Sequence, residues 1–191
     1  MPDVQLVLID GRSGAGKTDL ANRLGELWGA PVVHLDDAYP GWDGLEAGRD
    51  TIIAGVVVPL SQGLAGEYRR WNWPENDYGD VVSVPVAPIV IIEGCGIACR
   101  ATAEIADLIL WVECADDIRR MRAVERDGST TAENFDRWAA QELAVMNREF
   151  PQALADEIIY TDQRDDELDG VAATIGGKIM GPTEAGPEWG G

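Results

Sequence analysis

The chain has 191 residues, which is enough for one domain with a sizeable core and short for two. Its net charge of −19 opposes nonspecific binding to nucleic acid or anionic membrane, although backbone N–H groups and a few local cations can still hold a nucleotide. No apolar run approaches the roughly 20 residues of a membrane helix, and we expect no secretion signal. Three cysteines without a CxxC spacing favour a reducing, cytoplasmic setting. The one histidine, His34, disfavours multi-histidine metal sites and serine–histidine hydrolases, and is typical of a packed side chain.

Strands and helices are predicted to alternate along the chain. Short apolar runs predict strands at residues 4–10, 31–35, 89–92, 108–112 and 158–160, and helical spacing predicts helices at residues 17–28, 49–62, 116–126 and 131–150. Pro59 is expected to kink or end the second helix, and Thr131, with Asn134 three residues later, to cap the last. This order predicts an α/β domain with a mostly parallel five-stranded sheet over residues 1–180. The Gly- and Pro-rich tail, residues 181–191, is expected to be disordered.

Residues 11–18 read GRSGAGKT and match the Walker A pattern G-x-x-x-x-G-K-[ST] at every fixed position. Glycines let successive backbone N–H groups point inward at phosphate oxygens, and the helix that follows adds its positive N-terminal end. Lys17 is expected to reach the β- and γ-phosphates, and Thr18 to offer its hydroxyl to Mg²⁺. The predicted ATP-binding residues are Gly11, Ser13, Gly14, Ala15, Gly16, Lys17 and Thr18. An apolar strand precedes the loop and an amphipathic helix follows it, which is the context that this motif requires.

The choice of basic residues supports this interpretation. Thirteen of the fifteen are arginines, and Lys17 is the only lysine in the first 177 residues. A chain that otherwise uses arginine has therefore placed its lysine at the position where the motif needs a compact charge.

Acidic residues follow two of the predicted strands. Asp36 and Asp37 come after residues 31–35, and Glu93 comes directly after residues 89–92. Ligands in open α/β sheets bind beyond the carboxyl ends of the strands, and phosphoryl transfer needs a carboxylate to orient the attacking hydroxyl and a metal held against the phosphates. Asp36 fits the first role and Glu93 the second. A helix cap or turn remains open for Asp36 and Asp37.

The predicted helix 116–126 is rich in arginine. Arg119, Arg122 and Arg126 share a face through i, i+3 and i+7 spacing, with Arg120 beside them. Such a positive patch suits the charge that develops on a transferring phosphoryl group. A solvated face paired with neighbouring acids is the alternative, and Arg122 and Arg126 are the stronger candidates for function.

These segments, taken in order, resemble a known family. They are GRSGAGKT, HLDDAYPGW, YRRWNW, VIIEGCG and RRMRAVERDG, over roughly residues 4–162. Together they resemble the uridine kinase-like P-loop nucleoside kinases, especially a small actinobacterial branch. The resemblance implies a three-layer P-loop NTPase fold with a short helical lid, and a phosphotransferase that uses ATP and Mg²⁺ with an alcohol group as acceptor.

The resemblance also implies roles for individual residues. Asp36, in the D-x-x-Y element with Tyr39, would be the base that activates the acceptor hydroxyl, and Glu93 would help Thr18 to hold Mg²⁺. Arg122 and Arg126 would belong to a lid that closes over ATP. The acceptor site would also use Tyr68, Trp71, Trp73 and Arg100. Well-studied uridine kinases are longer, carry a more elaborate β-hairpin and have an acidic residue that grips the ribose, so a uridine-like or cytidine-like acceptor is less well supported than a small-molecule kinase.

Two alternatives remain open from the sequence. One is a kinase for a nucleoside monophosphate or another metabolite, since Arg69, Arg70 and Arg100 could bind an acceptor phosphate. The other is an ATP-binding regulatory switch with slow hydrolysis that acts through a partner. No NKxD motif is present, which disfavours a GTPase of the usual kind. The sequence gives no indication of the oligomeric state.

Overall fold

A computed structural model describes residues 4–162 and residue 175 of the chain. The predicted tail at residues 181–191 and the end of the predicted domain lie outside the described residues. The strands are β1 (Gln5–Gly11), β2 (Val32–His34), β3 (Gly66–Asn72), β4 (Asp77–Val84), β5 (Ile89–Glu93), β6 (Leu108–Glu113) and β7 (Glu157–Tyr160). The helices are α1 (Lys17–Trp28), α2 (Leu45–Ile52), α3 (Val58–Ser61), α4 (Arg100–Ala103), α5 (Asp116–Asp127), α6 (Ser129–Glu149) and α7 (Pro151–Leu154). No helix among the described residues is both long enough and apolar enough to cross a membrane.

Five strands form one sheet in the order β2-β5-β1-β6-β7, and all of their pairings are parallel. Both faces of β1 are buried, because Leu6 and Leu8 enter one hydrophobic cluster while Val7 and Ile9 enter another. The first cluster includes α2 and α6, and the second includes α1. The sheet therefore lies between two helical layers, which confirms the α/β class and explains why its strands read as continuous apolar runs.

Two of the sequence predictions for helices need correction. The helix predicted at residues 49–62 starts earlier, at Leu45, and it reaches Ser61 with a π-helical turn at Ile53–Val57 just before Pro59. Proline has no N–H and crowds the preceding turn, so it would break a regular series of helical backbone hydrogen bonds. The π-helical turn immediately before Pro59 accommodates it. Helix α6 begins at Ser129 after Gly128, whose φ of 75° ends α5, so Thr131 is a buried helical residue and not the cap.

Strands β3 and β4 form an antiparallel hairpin that the element pattern did not predict. Its four-residue connection ends at Asn76, whose φ of 52° is left-handed. Tyr68 and Val84 bury one side of the hairpin in the same core cluster as α2. The hairpin was missed because its strands carry many charges and expose most of their other face.

Candidate active site

The phosphate-binding loop has the backbone that its glycines allow. Gly14 and Gly16 have φ of 79° and 98°, a region that other residues seldom adopt. A Cβ on Gly14 would lie 1.9 Å from the carbonyl oxygen of Arg119, so the start of α5 packs directly on the loop. Helix α1 begins at Lys17, directly after Gly16, and its N-terminus faces the loop.

The Lys17 side chain is buried inside the phosphate-binding loop. Its Nζ donates to the carbonyl oxygen of Arg12 at 3.1 Å and lies 3.5 Å from the Cys95 sulfur. Burial alone would lower the pKa of Lys17, but electrostatic interactions with neighbouring acidic groups outweigh burial and raise this pKa. Burial also raises the pKa of the Cys95 thiol well above its usual range, so that thiol is neutral near pH 7. We therefore attribute the raised lysine pKa to the nearby carboxylates, chiefly Glu93, and the side chain is a permanent cation.

Thr18, Glu93 and His34 form a connected polar group at the end of β5. The Thr18 hydroxyl donates to Glu93 Oε1 at 3.0 Å, and His34 Nδ1 lies 2.7 Å from the same oxygen. Burial opposes ionisation of Glu93, but His34 and Lys17 hold its pKa below the ordinary value, and the contact with Glu93 raises the pKa of His34. A hydroxyl and a carboxylate are hard oxygen ligands that suit Mg²⁺, which usually takes few protein ligands and keeps several waters. These residues fit the implied metal.

Asp36 and Asp37 lie in a single 3-10 turn, Leu35–Asp37, that directly continues β2. A hydrogen bond and an ion pair join this turn to the hairpin. Trp73 Nε1 donates to the backbone oxygen of Asp36 at 3.0 Å, and Asp37 pairs with Arg70 at 3.1 Å. The hairpin therefore fixes the backbone that carries the candidate base.

One cleft of about 1150 Å³ brings most of the predicted site residues together. Those that line it are Ser13, Gly14, Gly16, Lys17, Thr18, Asp36, Tyr39, Trp73, Glu93, Arg122 and Arg126. Tyr39 is otherwise fully packed, and its hydroxyl donates to the carbonyl oxygen of Cys95 at 2.9 Å. Its role in the structure is thus to join the Asp36 segment to the loop after β5.

Other predicted site residues do not line the cleft. Gly11 is the last residue of β1, Ala15 lies in the loop, and both are buried. Tyr68 lies in the core under the hairpin, and Trp71 packs edge to face on Tyr78, with ring centroids 5.0 Å apart. Arg100 is exposed and donates to the carbonyl oxygen of Arg148 at the end of α6.

The arginines of α5 fall into three groups. Arg119 is buried, pairs with Asp116 at 2.7 Å and lies 3.8 Å from Glu142. Arg120 pairs with Asp136 on the surface. Arg122 and Arg126 line the cleft, and Arg122 donates to the carbonyl oxygen of Thr161 at 2.8 Å.

Sequence reasoning missed a buried carboxylate behind the loop. Glu142 of α6 accepts from the Ser13 backbone N–H at 2.6 Å and from Arg12 Nε at 3.1 Å. Only 2% of its side chain is exposed. The sequence does not single out Glu142, because an acidic residue on a predicted amphipathic helix is usually exposed to solvent.

Asp10, at the end of β1, was also missed. Its carboxylate accepts three backbone hydrogen bonds, from Gly11, Gly96 and Ala98, and so joins β1 to the loop after β5. Burial raises the pKa of Asp10 to about 6, although these three N–H donors oppose the shift.

Comparison with solved structures supports this fold at low sequence identity. A protein described as a possible uridine kinase from Bacillus stearothermophilus aligns with a TM-score of 0.57 and 18% identity, over 83% of this chain and 90% of that one. Shikimate kinase from Bacteroides thetaiotaomicron aligns with a TM-score of 0.56 and 13% identity, over 92% and 98%. Shikimate kinase from Acinetobacter baumannii, in complex with shikimate, aligns with a TM-score of 0.55 and 15% identity, over 94% of both chains. No protein-family model and no curated protein matches the chain.

The chain has the P-loop NTPase fold. This confirms the fold that the GRSGAGKT motif and the alternating elements predicted. At these identities the likeness shows the fold, and it does not assign the chain to the actinobacterial branch of the uridine kinase-like proteins.

Proposed function

We propose that this protein is an ATP-dependent kinase that transfers the γ-phosphate to a hydroxyl group of a small, nucleoside-like molecule. The observation that carries the proposal is the shared cleft. Lys17, Thr18 and Glu93 line its phosphate-binding side, and Asp36 lines the same cleft where β2 ends. A carboxylate that faces a P-loop across an open cleft is the arrangement that transfer to a hydroxyl requires.

Each group has a role that follows from its surroundings. The loop N–H groups and Lys17 bind the β- and γ-phosphates, and Asp36 accepts the proton of the attacking hydroxyl. Arg122 and Arg126, carried by α5 over the loop, stabilise charge on the transferring group. Mg²⁺, held by Thr18 and Glu93, would neutralise phosphate charge. The three cysteines are free thiols buried in the protein, which is compatible with the predicted reducing, cytoplasmic setting.

The monophosphate kinase alternative loses support from the positions of its arginines. Arg69 donates to the backbone oxygens of Tyr78 and Gly79 within the hairpin, and Arg100 is held at the end of α6. Arg70 lies closer to the cleft, since its partner Asp37 lines it, but this ion pair already engages the Arg70 guanidinium. A regulatory switch remains the alternative of another class, and it would need no base at Asp36.

The decisive experiment measures ADP release with Mg·ATP and a panel of nucleosides, nucleotides and small alcohols. Asp36→Asn should abolish acceptor-dependent ADP release and leave the Kd for Mg·ATP unchanged, because it removes the proton acceptor and keeps the phosphate site. Asp80→Asn removes the same charge from an exposed position on β4 and is the control. Retained transfer in Asp36→Asn would refute the assigned base. No stimulation by any acceptor would favour the switch.

A further inference from the structure

The one histidine of the chain lies beside a candidate metal ligand. His34 ends β2 and Glu93 ends β5, and the parallel register of these two strands makes the two residues direct partners. Alternation along each strand places both side chains on the face of the sheet that packs against α1, because Val32 and Ile91, two residues earlier, belong to the cluster that includes α1. The sheet itself therefore brings the imidazole to the carboxylate.

His34 is only partly packed and is joined to Glu93 by a short hydrogen bond. Its side chain is 32% exposed and lines the cleft. His34 Nδ1 lies 2.7 Å from Glu93 Oε1. A carboxylate can only accept hydrogen bonds, so Nδ1 carries a proton and His34 is the donor.

The same carboxylate oxygen also orients the hydroxyl of Thr18. Thr18 Oγ1 donates its proton to Glu93 Oε1 at 3.0 Å, which leaves the lone pairs of the hydroxyl for a cation. Glu93 is only 3% exposed, and a buried carboxylate needs donors that replace the water it has lost and hold it in one orientation. His34 supplies one such donor from β2, and Thr18 supplies another from α1.

We infer that His34 is a positioning residue for the metal of the proposed Mg·ATP site. By donating to Glu93, it keeps the carboxylate in contact with the Thr18 hydroxyl, so that the two residues bind the metal together. Residues that hydrogen-bond to metal ligands orient them, and their loss weakens metal binding by about 10–100-fold. The inference rests on the proposed function, since it concerns the metal that accompanies ATP. His34 does not take the acceptor proton in this role, which stays with Asp36.

The test measures how much Mg²⁺ strengthens nucleotide binding. A non-hydrolysable ATP analogue is titrated by calorimetry, once with excess Mg²⁺ and once with EDTA, and the ratio of the two Kd values is the gain from the metal. His34→Leu and His34→Asn are a matched pair of similar shape, but only asparagine keeps an N–H donor. We expect His34→Leu to lose at least about tenfold of the gain and His34→Asn to retain most of it. The affinity in EDTA should be unchanged in both, because the phosphate loop and Lys17 are intact.

A second measurement asks whether His34 acts through Glu93. In a Glu93→Ala background, His34→Leu should reduce the gain no further, because the carboxylate that it positions is already absent. An unchanged gain in His34→Leu, an equal loss in His34→Asn, or full additivity with Glu93→Ala would overturn the inference. A His34→Leu protein that loses its affinity in EDTA as well would assign the side chain to the fold alone, and would also overturn it.

These binding results are independent of the kinase assay. A gain from Mg²⁺ that depends on His34, without ADP release from any acceptor, would support the positioning role and contradict the kinase. Acceptor-dependent ADP release, together with a wild-type gain in His34→Leu, would support the kinase and overturn the positioning role.

Discussion

The buried carboxylate of Glu142 should control both stability and ATP binding. It accepts from Ser13 and Arg12 of the phosphate loop and lies beside the buried Arg119, so it joins α5 and α6 to the loop. Removing one partner of a buried ion pair costs about 3–5 kcal/mol, because the remaining charge is left unpaired, and we expect this loss of unfolding free energy for Glu142→Ala. Glu142→Gln keeps the volume but weakens two charge-assisted hydrogen bonds, and should cost roughly 2 kcal/mol.

Equilibrium denaturation and calorimetric titration with Mg·ATP test this prediction together. Because Ser13 and Arg12 are in the loop itself, Glu142→Gln should also weaken ATP binding, by about tenfold if the loop loses roughly 1.4 kcal/mol of preorganisation. Asp136→Asn is the matched control, since it removes an acid from the same helix, where Asp136 pairs with Arg120 and 82% of its side chain is exposed. That change should cost less than about 1 kcal/mol. A Glu142→Gln protein with the stability and ATP affinity of the control would refute the reasoning.

Two further predictions concern buried titratable groups. Asp10 has a pKa of about 6 in the folded protein against 3.8 in the unfolded chain, so the folded state binds the extra proton and unfolding free energy rises as pH falls between these values. Relative to Asp10→Asn, the wild-type protein should gain roughly 1 kcal/mol between pH 7.5 and pH 5 by denaturation, and a pH-independent difference would disprove the shift. The three cysteines are buried, so a thiol-specific reagent should label them slowly in the native protein and at once in denaturant. Fast labelling of one native thiol would contradict that burial.

The phosphate loop was predictable because its signals are local. The start and end of α1, Lys17 and Trp28, match the predicted helix at residues 17–28, since a glycine loop before it and apolar spacing within it define both ends. The five parallel strands were also predictable, because strands buried on both faces are continuously apolar. The start of α6 was not, because a threonine that looks like a cap is buried inside the helix and Gly128 makes the turn.

The acceptor side depends on contacts between distant segments, which spacing along the chain does not reveal. Trp73 was among the predicted substrate residues and lines the cleft, whereas Trp71, two residues earlier, packs on Tyr78. Residues two apart in a strand share a face, but β3 ends at Asn72, so Trp73 lies in the connection and not on the strand. The end of the strand had to be known before the two tryptophans could be told apart. Trp138 lines the same cleft from α6, where a tryptophan at helical spacing is typical of a core residue.

The distribution of charge around the loop is compatible with the proposed binding of a polyphosphate by a chain with a net charge of −19. Arg12 lies in the loop and Arg119 packs beside it, but both are near Glu142 and Asp116, so these ion pairs stabilise the loop backbone. Lys17, Arg122 and Arg126 are the lysine and arginine side chains that line the cleft in the described part of the chain. These cations thus lie on the phosphate-binding side of the cleft, together with Glu93, while Asp36 and Asp37 line the cleft where β2 ends. This arrangement of charge suits the proposed transfer from Mg·ATP to a hydroxyl.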